Sequence, residues 1–171
     1  MENKFIEEQR YMDAKIEDVV RTIQQKAIMF YNEYKNMNAV IQDSGNALTE
    51  VEKLRSCSKK LAPIRDICIR ELEAFASRKN EFAGGPAETV YNQVLIDLGN
   101  MIYDLDAYIK NLQEITGWIT AGAINNSEGV KKGFDRLFGL LHERYEDFIN
   151  SDNDVIEKLN IIKTIAAKNT P

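Results

Sequence analysis

One histidine, two cysteines and one loosely glycine-flanked stretch are the residues here whose types could do chemistry. His142 opens His142-Glu143-Arg144-Tyr145-Glu146. A zincin needs a second histidine where Glu146 stands, because two imidazoles one helical turn apart must share the metal. A di-iron bundle needs Glu-x-x-His on two helices, which a single histidine does not supply. Cys57 and Cys68 lack Cys-x-x-Cys spacing, so no structural zinc site is expected. Eleven residues of helix would hold the two thiols roughly 16 Å apart, too far for a mutual disulfide, and they read as reduced thiols of an intracellular protein. Gly117 and Gly122 have the outer spacing of a phosphate-binding loop. Ala123-Ile124 stands where Lys-Ser/Thr must reach phosphate and magnesium. A serine or cysteine nucleophile would have to take His142 as its base; the simpler reading puts His142 on the surface or boundary of its helix. The expectation is a protein that is not an enzyme, with no catalytic residue, no metal and no cofactor.

What remains is a scaffold, and its elements are legible. Tyr91, Val94, Leu98, Met101, Leu105, Tyr108, Leu112 and Ile115 recur in steps of three and four. That is the narrow seam of a helix packed about 20° from parallel against others. An earlier stripe runs through Met12, Ile16, Val19, Ile23, Ala27, Phe30, Tyr34, Met37 and Ile41 and stops at Asp43-Ser44-Gly45-Asn46, a helix end followed by a cap. A second has Leu54, Leu61, Cys68, Phe75 and Phe82 strictly seven apart. Pro63 lies inside it, which predicts either a kink or a later start; the unbroken heptad phase favours the kink. Gly84-Gly85-Pro86 separates it from the third helix, expected to end near Thr116. A fourth stripe follows: Val130, Phe134, Leu137, Phe138, Leu141, Tyr145 and Phe148. Ser151-Asp152-Asn153-Asp154 has capping-box spacing and predicts a short fifth helix through Val155, Leu159, Ile162 and Ile165.

The fold expectation is therefore all-α: an antiparallel up-down-up-down four-helix bundle over residues 1–150, with a short C-terminal brace-like helix and tail over 151–171. At 171 residues one such domain buries an adequate core. Met1-Glu2-Asn3-Lys4 does not start a signal peptide. No run approaches the ~18 apolar residues of a membrane span, so a cytoplasmic location is expected, with recruitment to a membrane as an extension of it.

Charge supplies the functional lead. The net charge of −5 argues against nucleic acid as a partner. Yet from Lys53 to Lys79 there are eight basic residues against three acidic, and from Glu81 onward eight against fourteen. A basic second helix either steers its own packing against acidic neighbours or offers a cationic face to anionic lipid or an acidic partner. From Ile115 to Ser127 no residue is charged. The lone tryptophan there, Trp118, reads as a plug at the bundle's end or, with Ile119, as an interfacial or partner anchor.

Three short motifs stand in sequence in this chain: Lys59-Lys60-Leu61-Ala62-Pro63-Ile64, the link Trp118-Ile119-Thr120-Ala121-Gly122, and the helix start Gly129-Val130-Lys131-Lys132-Gly133-Phe134. Over residues 51–149 this layout resembles the N-terminal four-helix bundle of mixed-lineage-kinase-domain-like pseudokinases. It is similar to the HeLo-type domains of fungal cell-death proteins and plant immune executioners too. The resemblance implies a cell-death module that forms a homo-oligomer on activation, binds anionic phospholipid and permeabilises the membrane, with a kinase-like domain as a further partner. By position it implies lipid contacts at Lys59, Lys60 and Arg65, and at Lys131, Lys132 and Arg136. The net acidic charge departs from that pattern. The competing expectation is a helical interaction module that docks protein partners without touching membrane.

Overall fold

The eight seam residues of the third stripe are all buried, and Val94, Leu105, Tyr108, Leu112 and Ile115 are fully so. They form the spine of a computed structural model that describes residues 2–42, 51–121 and 128–168, with side chains described over 15–37, 51–121 and 135–168. Four helices make up the described chain: α1 (Glu2–Gln42), α2 (Val51–Ser77), α3 (Glu88–Thr120) and α4 (Glu128–Lys168). A 3-10 turn over Lys79–Phe82 joins α2 to α3. No strand occurs among the described residues.

Every neighbouring pair runs antiparallel, as the residue pairings demonstrate. On α1 and α2, the Cys57 thiol lies 3.9 Å from the Glu33 carbonyl and Lys60 pairs with the Glu33 carboxylate, while Lys26, earlier on α1, acts on Cys68 and Glu71, later on α2. On α2 and α3, Arg55 reaches Thr120, Arg65 reaches Asp106, and Phe75 meets Tyr91. On α3 and α4, Asp104 meets Arg144 and Asp97 meets Lys158. Tyr34–His142 and Glu17–Lys163 close the ring between α1 and α4. In each case rising numbers on one helix meet falling numbers on the next. This is the up-down-up-down four-helix bundle that the stripes predict.

Aromatic packing locks two levels of the core. Phe30 of α1 sits 4.4 Å from Phe148 and 5.4 Å, edge-on, from Tyr108, so one ring ties three helices together. Toward the other end Tyr91 is stacked between Phe75 at 3.9 Å and Phe82 at 4.3 Å, and its hydroxyl donates to the Phe75 carbonyl. Such pairs contribute about 0.5–1.5 kcal/mol each beyond the area they bury. The α2–α3 turn depends on Gly84, whose φ of 75° lies where side chains are disfavoured. Its N–H donates to the Glu88 carboxylate, which satisfies a backbone group at the mouth of α3.

Two expectations are corrected, and one open alternative is decided. The short fifth helix does not exist as a separate element: α4 runs unbroken from Glu128 to Lys168, straight through Ser151–Asp154. Val155, Leu159 and Ile162 are fully buried, and they continue the phase of Leu141 and Phe148, so tertiary packing overrides the local capping signal. Helix α3 extends to Thr120, which makes Trp118-Ile119-Thr120 its last turn and not a link. Helix α2 does not start at Pro63 but carries it inside. Pro63 is on the solvent-exposed face, where water can satisfy the carbonyl that proline leaves without a donor. Met12, Ile41, Val130 and Phe134 have side chains outside the described residues.

Candidate anion-binding end of the bundle

The pairings above fix a register, and the register gathers the basic candidates. Arg55 meets Thr120 and Arg65 meets Asp106, so Lys59 and Lys60 lie level with the last four turns of α3. Arg144 meets Asp104, so Arg136 lies about 12 Å nearer the α4 start. Lys131 and Lys132 belong to the first turns of α4, with side chains outside the described residues. Lys59, Lys60, Arg65, Lys131, Lys132 and Arg136 therefore occupy the half of the bundle where α3 ends and α4 begins. The positive poles of the α2 and α4 macrodipoles fall at this end, offset by the negative poles of α1 and α3.

Their individual settings divide them in two. Lys60 Nζ lies 3.8 Å from Glu33 on α1, and the Arg65 guanidinium is 3.1 Å from Asp106 on α3 and 3.7 Å from Asp66. Lys110 and Arg65 together hold the Asp106 carboxyl below its ordinary range, the Lys110 hydrogen bond contributing most. These cations knit α2 to its neighbours, as the packing reading of the basic helix expects. Lys59 and Arg136 are exposed and have no ion-pair partner among the described residues. Arg70, three turns along the same outward face of α2 as Lys59, is exposed in the same way. It was absent from the sequence-derived candidates because nothing in its local pattern sets it apart from the paired arginines.

The two apolar candidates also separate. Ile119 is 3 % exposed and belongs to the core, which corrects its reading as a surface anchor in this folded state. Trp118 is half-buried and packs against the core's edge, the setting of an end plug.

Acidic side chains gather in a groove as well. Between α3 and α4 a groove of about 290 Å³ is lined by Asn100, Tyr103, Asp104, Asp147, Asn150, Ser151 and Asp154. Burial raises the Asp104 carboxyl, and Asp147 adds to the rise while Arg144 opposes it. Arg144 also lies over the Tyr103 ring at 5.2 Å. Exposed Glu52, Glu114 and Asp135 share the half that holds the basic candidates, so those cations stand among carboxylates of a net-acidic chain.

Nucleophile chemistry finds no support in the thiols. Burial pushes both Cys57 and Cys68 up to about 12, which keeps them protonated and unreactive at neutral pH. No group of acidic, histidine or cysteine side chains among the described residues could hold a metal ion. No described helix is long and apolar enough to cross a membrane. The chain matches no known protein family, no curated protein and no solved structure.

Proposed function

We propose that this chain is a membrane-engaging helical bundle of the cell-death-executioner type, which binds anionic phospholipid through the end where α3 meets α4 and self-associates there. The observation that carries the reading is that Lys59 and Arg136 are exposed and unpaired among the described residues and lie in the same half as Lys131 and Lys132. A charge with no internal partner contributes little to folding, so it is available to a surface. Each basic residue near an anionic leaflet contributes about 1 kcal/mol. Four of them give a single bundle an affinity near the millimolar range. Firm attachment then needs several copies acting together, which is why self-association belongs to the same proposal.

Co-sedimentation with vesicles tests it. Binding to phosphatidylserine-containing vesicles that is absent with neutral vesicles and lost at high salt supports the reading. Equal binding to both lipids overturns its electrostatic basis.

A second reading, a module that docks protein partners, rests on Ile28, Met29 and Tyr31 of α1 and Ile96 and Tyr103 of α3. These large apolar side chains are all more than 40 % exposed. It predicts no response to vesicles of either composition.

A further inference from the structure

We propose that residues 152–168, the C-terminal arm of α4, are a proton-controlled release arm: ionisation of Asp152 loosens this segment from α1, α2 and α3 while the remainder of the bundle stays folded. The inference goes beyond lipid binding and does not depend on it.

Asp152 is 4 % exposed, and its Oδ1 has no hydrogen-bond partner. A carboxylic acid tolerates that setting far better than a carboxylate, because an ion removed from water must be paired or solvated. No compensating cation faces it among the described residues. From α2 comes the neutral Cys68 thiol, with Glu71 beyond it; Lys26 of α1 acts on those two groups. On α3, Asp97 and Asp104 are the acidic groups at this level, and Lys158 and Arg144 of α4 are already engaged with them. Burial alone raises the Asp152 carboxyl to about 7.

The arm has a natural boundary at this residue. Ser151 and Asp154 carry the spacing that caps a helix start, so a break here leaves the freed helix with its end already satisfied. What holds the arm down is the burial of Val155, Leu159 and Ile162, helped by the Lys158–Asp97 and Lys163–Glu17 pairs. Opening exposes Asp152 to water, where it ionises at its ordinary, lower value. The equilibrium for opening therefore rises by about tenfold per pH unit between roughly pH 4 and 7, and is flat above.

Amide hydrogen exchange on the whole chain, corrected for the intrinsic pH dependence of exchange, reads this directly. Between pH 5 and pH 7 the amides of 155–165 should lose protection by about 50-fold. Those of the α3 seam, 94–112, should stay far better protected than the arm at both pH values, and Asp152→Asn should remove most of the loss in the arm. Equal protection of arm and seam at pH 7 overturns the proposal, since the arm would then open only with the bundle as a whole. An unchanged pH response in Asp152→Asn overturns it too. Should that variant fail to fold, the comparison of arm with seam in the unaltered protein still decides.

Discussion

The Tyr34 hydroxyl of α1 lies in hydrogen-bond contact with His142 Nδ1 of α4 at 2.6 Å, and His142 Nε2 lies 2.9 Å from the Glu146 carboxylate. In the tautomer protonated on Nε2 alone, Nδ1 accepts from the tyrosine hydroxyl and Nε2 donates to the carboxylate. The Tyr34 ring also lies flat on Tyr145 at 3.7 Å, so this cluster clasps the first helix to the last. Tyr34→Phe keeps the stack and removes the hydrogen bond. It should lower unfolding free energy by about 0.5–1.5 kcal/mol in urea titrations, whereas Tyr34→Ala should cost clearly more.

The seam of α3 makes the firmest stability prediction. Leu105 is fully buried, and Leu105→Ala should cost about 2–5 kcal/mol. A loss below about 0.5 kcal/mol, the scale of surface substitutions, would show that the position does not pack as described.

Paired and unpaired cations should part company in stability. Arg65→Glu sets like charges against Asp66 and Asp106, its two acidic neighbours, and should reduce melting temperature measurably. Lys59→Glu, with no ion-pair partner among the described residues to lose, should leave it almost unchanged. Equal effects at both positions would contradict this division of α2.

Asp152 makes its own contribution to the pH dependence of stability. Its folded-state value, about 7, lies above the ordinary 3.8. The stability it confers is thus fully present below about pH 4 and lost as pH rises toward 7. Relative to the natural chain, Asp152→Asn should gain little at pH 4. The gain should grow by up to about 1.4 kcal/mol per pH unit to a plateau above pH 7. Chemical denaturation at pH 4, 5.5, 7 and 8 measures it, and a difference that shrinks as pH rises would contradict the assignment.

Periodicity made the bundle legible because each helix buries one stripe, and that demand writes itself into the spacing of Tyr91 to Ile115 or Leu54 to Phe75. Capping signals were less reliable. Ser151–Asp154 reads as a helix start, but Phe148 and Val155 are both fully buried on one continuous face, and packing decided the outcome. The site was legible only in part. Sequence marks α2 as basic without telling Arg65, which is tied to Asp106, from Lys59, which is exposed, because the partner stands forty residues away on another helix. The Tyr34–His142 contact, 108 residues apart, leaves no local trace either. Asp152 lies inside a capping signal without being one of its two capping positions, and only its burial gives it a different meaning.

The central claim is that the end where α3 meets α4 is a lipid-binding surface. The most direct measurement is the partition of the natural chain and of a Lys59→Glu, Lys131→Glu, Lys132→Glu, Arg136→Glu variant onto phosphatidylserine-containing vesicles at low salt, with helix content followed by circular dichroism. The natural chain should bind, and the variant should stay folded but remain in the supernatant. A natural chain that ignores the vesicles, or a folded variant that binds them as well as the natural chain does, would contradict it.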